Sequence, residues 1–281
     1  MFATIGHTID LMKMSWRVLM LDRELIFFPV MSVAAMVLLA VAIFAGGLLG
    51  GAFGLAEEGG EGSGGDLALG LVLAFGSSFI VIFFNAALVA AALERLRGGD
   101  PNVSSGLKAA SAHIPQILGW ALITTIVTLI LQALRDRGGI AGEVASMLGG
   151  IAWSLATFFV IPLLVAEGIG PIEAIRRSSS LLRDTWGRQI AASFGFGIVT
   201  IGAIIVAAIP GLLLALVHPL LGLAVGIPLV GLAWATVTSL EGIFKAALYD
   251  YAIGKDPHGF DRATLQSAYG PQTGGSMRGI V

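Results

Sequence analysis

Charged positions are rare along this chain, and their spacing divides it. Uncharged runs cover residues 25–56, 67–93, 109–134, 144–166 and 190–240. A helix needs roughly 20 apolar residues to cross a bilayer. The first four runs each hold one such helix. The fifth is long enough for two, and Pro210-Gly211 followed by His218-Pro219 interrupts it as a tight helical hairpin would. The pattern predicts six spans, at about 25–48, 68–93, 114–134, 145–166, 190–213 and 221–247. The expected fold class is therefore all-α: one polytopic membrane domain over 1–270, with 271–281 a disordered tail.

The segments between spans repeat a turn. Gly98-Gly-Asp-Pro101 follows span two, Gly168-Ile-Gly-Pro171 follows span four, and Gly254-Lys-Asp-Pro257 follows span six. Gly ends a helix, and Pro starts the next segment with its φ already set. An amphipathic stretch comes after the first two turns and at the N-terminus. After Pro171, Ile172, Ile175, Leu182 and Trp186 share one helical face, opposed by Glu173, Arg176, Arg177, Ser180 and Arg183. The N-terminal segment sets Ile9, Met12 and Trp16 against Asp10, Lys13 and Arg17. The stretch after Pro101 sets Val103, Leu107, Ala110 and Ile114 against Ser104, Lys108 and Ser111. Three transmembrane hairpins, each preceded by a cytoplasmic interfacial helix, are expected. Residues 258–270 look like a truncated fourth interfacial piece.

Composition agrees. Of 281 residues, 56% are hydrophobic and only 12% charged, about half the usual share for a soluble protein. The mean hydropathy is +0.91, too apolar for a water-soluble core. A net charge of −2 supplies no basic field for nucleic acid. The absence of Cys removes disulfides and thiolate chemistry. Lys and Arg set the orientation. The segments before span one, between two and three, between four and five, and from the end of span six onward carry 3, 3, 4 and 4 of the 16. Both termini are expected in the cytoplasm. The acidic, Gly-rich loop Glu57–Asp66 then lies outside. Span one starts too late and runs too long for a cleaved signal peptide.

Candidate chemistry is sparse. Arg176, Arg177, Arg183 and Arg188 with Trp186 form the best cluster. Arg forks suit phosphate oxygens, and Trp favours the headgroup level, so the cluster suits an anionic lipid or a nucleotide headgroup; positive-inside anchoring explains the same residues without a ligand. Asn85 in span two suits an interhelical hydrogen bond. Glu241 and Lys245 stand four apart near the end of span six, in the order that favours an ion pair on one helix face. The Ser178-Ser179-Ser180 run has no base beside it. The histidines at 7, 113, 218 and 258 are scattered, no metalloprotease or hydrolase motif is present, and no cofactor or metal site is expected. Gly60–Gly65 matches a dinucleotide fingerprint formally but opens no Rossmann unit. The small-residue pairs Gly46/Gly50, Gly47/Gly51 and Gly222/Gly226 permit close helix approach within or between chains. Pro29, Pro162 and Pro228 predict kinks in spans one, four and six.

Two stretches carry a resemblance. They are Gly170-Pro-Ile-Glu-Ala-Ile-Arg-Arg-Ser-Ser179 through Trp186-Gly187, and Ala247-Leu-Tyr-Asp-Tyr-Ala-Ile-Gly254 through Gly259-Phe-Asp261. Over nearly its whole length the chain resembles an uncharacterised family of prokaryotic multi-span membrane proteins, the domain of unknown function 6159. That resemblance implies an integral protein of the prokaryotic cell membrane and nothing chemical. The turn with its Arg/Ser-rich helix is also similar to the membrane domain appended to some glycerophosphodiester phosphodiesterases. Their hydrolytic domain is absent, so no activity carries over.

Three functions fit this reading. The first is a non-enzymatic scaffold, assembly or envelope-homeostasis protein acting through lipids, a protein partner or a second copy. The second is a permease for a small or amphiphilic solute, with a wet cavity lined by Asn85, Thr124, Thr128, Thr236 and Thr238. The third is a lipid-headgroup enzyme in which Glu241, Lys245 and the arginines converge.

Overall fold

In a computed structural model the described residues are 2–52, 64–186, 195–260 and 265. They form ten α-helices and one 3-10 turn, Arg23–Ile26. The helices are α1 (Phe2–Leu21), α2 (Phe27–Ala52), α3 (Gly64–Leu96), α4 (Val103–Ser111), α5 (Ile114–Arg137), α6 (Gly139–Ala156), α7 (Val160–Glu167), α8 (Pro171–Trp186), α9 (Gly195–Ala215) and α10 (Pro219–Ala252). Five helical stretches are long and apolar enough to cross a membrane: Arg23–Gly46, Ala68–Leu96, Ile114–Arg137, Gly139–Glu167 and Pro219–Ala252. They coincide with five of the six expected spans. The other, 190–213, begins outside the described residues, and its described apolar part, Thr200–Ala215, is shorter. The tail 271–281, the loop residues 57–63 and Arg188 also lie outside them.

Three antiparallel pairs organise the chain: α2 with α3, α5 with α6, and α9 with α10. α3 is central and touches α2, α4, α5, α7 and α10. The packing is one-ended. Ile82–Leu96 of α3 and Ala235–Asp250 of α10 supply most of the core, joined by Phe28, Ile117, Trp120, Phe159, Leu163 and Leu164. Toward the other end burial falls away. No described residue of α2 beyond Ser32, of α3 before Ile82 or of α5 beyond Thr125 is buried.

Glycine sets several close approaches. A Cβ on Gly106 would lie 2.5 Å from Phe28 Cζ and 2.8 Å from the Ala87 carbonyl, so α4 seats directly on α2 and α3. Gly222 and Gly226 work within the chain: a Cβ on Gly222 would meet Ala215 Cβ at 2.5 Å, and one on Gly211 would meet Gly226 Cα at 2.4 Å. α9 runs through Pro210-Gly211 to Ala215, and the reversal at 216–218 lies within the turn expected between spans five and six. α10 likewise continues through Pro228, and Pro29 sits in the first turn of α2.

Span four is the one that breaks. Proline at 162 removes the N–H that would have closed on the Phe158 carbonyl, and the helix divides into α6 and α7 at 157–159. The break frees backbone groups, and α8 supplies partners. The Phe159 N–H donates to the buried Ser178 Oγ at 2.9 Å, and Ser179 Oγ donates to the Ala156 carbonyl at 3.2 Å. These hydroxyls, which have no nucleophile's surroundings in sequence, fasten α8 to the broken helix. Their position also turns α8. It buries Ala174, Ser178 and Leu182, while Ile172, expected on the apolar face, is 68% exposed. α1 shows a similar turn: Met14, Ser15, Val18 and Leu19 are buried and Trp16 is exposed.

Ser178→Ala removes the hydroxyl that accepts from the buried Phe159 N–H. A loss of about 1–3 kcal/mol is expected, against less than about 0.5 for the half-buried Ser180→Ala. Denaturant unfolding of the two variants in the same detergent measures the difference.

Candidate functional site

The three glycine turns share a backbone geometry. Gly98, Gly168 and Gly254 have φ of 86°, 65° and 80°, the left-handed region that a Cβ disfavours. At the first, the Gly98 N–H reaches the Arg95 carbonyl and the Gly99 N–H reaches that of Glu94. At the third, the Gly254 N–H reaches Tyr251 and the Lys255 N–H reaches Asp250. Both are full Schellman caps. At the second, the Gly168 N–H bonds to Leu164, the simpler left-handed cap. All three turns lie at the packed end, and each delivers charged side chains to it.

Those charges pair across the helices. Arg95 holds Asp22 with two guanidinium nitrogens and reaches Asp100 at 2.7 Å. Arg97 forks onto Asp250, at 2.7 and 3.2 Å. The Asp250 side chain is 1% exposed. Its hydrogen bonds and then its charge hold the Arg97 guanidinium above its ordinary pKa, against the opposing effect of burial. Tyr249 donates to Glu167 at 2.8 Å, and the other Glu167 oxygen takes Arg177 at 2.9 Å. At the start of α4, Ser105 donates to Glu94 and the Val103 N–H donates to Glu24. The His258 N–H reaches the Leu96 carbonyl at 2.9 Å. These contacts join the bases of all three helix pairs.

The sequence-predicted arginines divide. Arg176 and Arg177 line a groove of about 870 Å³ between α5 and α8. Gly119, Leu122 and Ile123 form one wall, and Pro171, Ile172, Glu173 and Ser180 complete the other. Gly119 lets α8 approach, since a Cβ there would lie 3.2 Å from Pro171 Cγ. Arg177 is tied to Glu167, whereas Arg176 makes no ion pair among the described residues. Arg183 is exposed and lies 3.5 Å from Asp184. The side chain of Trp186 is outside the described residues. The groove thus sets a free guanidinium and a hydroxyl beside an apolar wall, and Glu173 stands on its rim.

The intramembrane candidates take separate places. Asn85 faces Gly242 across the α3–α10 contact, where a Cβ on Gly242 would sit 3.9 Å from Asn85 Oδ1. Glu241 and Lys245 meet at 2.8 Å, with the ammonium 5.6 Å from the Phe158 ring centre. No cluster among the described residues could hold a metal ion.

A family model described as a family of unknown function, DUF6159, matches residues 67–259. The chain belongs to that family. The matched stretch contains all three glycine turns, the arginine groove and Asp250; within DUF6159 they lie on α3 through the end of α10. No curated protein and no solved structure matches the chain.

Sequence reading missed the pairing of Arg95, Arg97, Glu167 and Asp250. The available signal was their place: each stands within four residues before a glycine turn, with the arginines before the first and the carboxylates before the second and third. Arg97→Ala strands a buried carboxylate and is expected to cost about 3–5 kcal/mol. Asp250→Ala added to it should cost less than the sum of the single changes. A double-mutant cycle by thermal unfolding in nanodiscs measures that coupling.

Proposed function

We propose that this is a non-enzymatic integral protein of the prokaryotic cytoplasmic membrane, a scaffold or envelope-homeostasis component acting through lipid and protein contacts. Six spans, duplicated hairpins and cytoplasmic termini go with that reading. The observation that carries it is the consumption of the charged groups by one another. Asp22, Arg95, Arg97, Asp250, Glu167, Arg177, Glu241 and Lys245 all have partners within the chain. What stays available is peripheral, and it includes Arg176 beside an apolar wall and a broad apolar exterior with Val33, Val37, Val41 and Phe44 of α2.

Length supports this placement. α3 and α10, with 33 and 34 residues, are each about 50 Å long against a hydrocarbon core of roughly 30 Å. Their packed, charge-rich ends would rise into the headgroup layer and the cytoplasm beyond it. Anionic lipid at Arg176 is the contact that such a level favours.

The permease reading asks for Asn85 and the four threonines around one wet space. Asn85 instead packs toward Gly242, and Thr236 donates to its own helix at Leu232. The enzyme reading asks for Glu241, Lys245 and the arginines to converge. Glu241 and Lys245 meet each other, and Arg177 meets Glu167.

The natural absence of Cys makes labelling direct. In intact membranes, Asn85→Cys is expected to stay unmodified by a small water-soluble thiol reagent. Ser104→Cys should react only from the cytoplasmic side and Gly62→Cys only from the outside. Rapid labelling of Asn85→Cys would replace the scaffold with the permease.

A further inference from the structure

A second groove lies at the opposite end of the α5–α6 pair from the glycine turns. It encloses about 620 Å³ and is lined by Thr128, Gln132, Arg135 and Asp136 of α5 and by Ser146 and Ser154 of α6, with Leu131, Met147 and Ile151 as apolar walls. Three observations set it apart from an ordinary helix crevice.

The first is an orphaned hydroxyl. Ser146 is 3% exposed, it lines the groove, and its Oγ has no hydrogen-bond partner among the described residues. Buried hydroxyls in native proteins nearly always have one, and stranding one costs stability. Serine in a helix can bond back to its own backbone, as Ser78 and Ser239 do here. Ser146 does not, and its oxygen is left for something that enters the groove.

The second is direction. Thr128, Gln132 and Arg135 follow Ile117, Ala121 and Thr125 at steps of three and four residues, so they continue the same helix face. Lower down that face is buried. The bare apolar positions Leu118, Leu122, Ile126, Ile130 and Leu134 occupy another. The polar groove therefore lies on the face that turns inward at the packed end, not on the face that carries the apolar exterior.

The third is charge order. Arg135 and Asp136 are adjacent and exposed, and neither makes an ion pair among the described residues. The groove carries one positive and one negative group, with no net charge. A lone anion or a lone cation would meet an unfavourable neighbour there. A ligand bearing both charges a few bonds apart would not.

We propose that this groove binds a zwitterionic phosphate–ammonium headgroup. The phosphate sits on the Arg135 fork, the ammonium meets Asp136, and Gln132 and the Ser146 hydroxyl take oxygens nearer the glycerol. Met147 and Ile151 lie along the first carbons of the chains. Phosphatidylethanolamine carries this chemistry in the bilayer, and free phosphoethanolamine carries it in water. The site is separate from the Arg176 groove and does not depend on the scaffold reading.

The test uses the full chain in nanodiscs of mixed phosphatidylethanolamine and phosphatidylglycerol, with native mass spectrometry counting retained lipids. In an Arg176→Ala background, which removes the anionic-lipid contact of the other groove, the chain should retain one phosphatidylethanolamine about tenfold over phosphatidylglycerol, which corresponds to about 1.4 kcal/mol. Arg135→Ala/Asp136→Ala should abolish the preference, and Ser146→Val should lower it at least about threefold. Restoring Arg176 should add retained phosphatidylglycerol and leave the phosphatidylethanolamine count unchanged. Both surface positions are exposed, and unchanged melting temperatures check that the double variant is folded. Release of the lipid by millimolar phosphoethanolamine would assign the same site to a water-soluble source. Resistance to it would assign the site to the bilayer lipid. Equal retention of both lipids in the Arg176→Ala background, or a preference that survives the further change Arg135→Ala/Asp136→Ala, would overturn the site.

Discussion

A carboxylate removed from water must meet a cation or it opposes folding. Asp250, with its side chain 1% exposed in the last turns of α10, meets Arg97 just beyond α3. Breaking such a pair costs more than forming it contributes, because the remaining charge stays buried. The fork joins the two longest helices, and its neighbours extend the tie. Asp22 and Asp100 hold Arg95, and Glu167 holds both Tyr249 and Arg177. Apolar helices in lipid have little hydrophobic reason to associate. These fixed polar contacts supply the reason at one end of the molecule. At the other end no comparable set of contacts is present among the described residues, and burial falls away with it.

The same logic positions α8. Pro162 breaks span four, the break exposes backbone groups, and Ser178 and Ser179 satisfy them. Once fastened there, α8 cannot present the face its hydrophobic pattern suggests. Ile172 and Arg176 turn together toward α5 and form the amphiphilic groove. A cleft with a guanidinium on one side and leucine and isoleucine on the other is thus a consequence of a proline ten residues before Ile172.

Much of the fold was legible in the sequence because the bilayer imposes one strong rule: long charge-free runs become helices. Five of the expected spans correspond to helices of sufficient length and apolarity, and all three glycine turns are left-handed caps. The pattern was weaker where two apolar faces compete. Trp16 and Ile172 belong to helices with a second buried face made of Ser, Ala, Met and Leu, which hydropathy alone does not separate. Pro210 read as a break because helix interiors usually exclude proline, yet Gly211, Gly222 and Gly226 pack α9 so closely on α10 that the helix continues. Of the site, the sequence located Arg176 and Arg177 but not the partner of Arg177. Pairing across 82 or 153 positions, as for Tyr249–Glu167 and Arg97–Asp250, leaves no local signature.

The parts combine into a molecule closed and charge-matched at one end, with helix pairs separating toward the other and a groove on each side of α5. Its polar groups serve cohesion at the base and contact at the periphery. The central claim is that the base behaves as one cooperative unit fixed by Asp250. Hydrogen exchange of wild type and Asp250→Asn in nanodiscs tests it most directly. The account predicts that protection falls together in 88–96 of α3, in α7 and in α8, while α9 is unchanged. Loss of protection confined to α10 would contradict it.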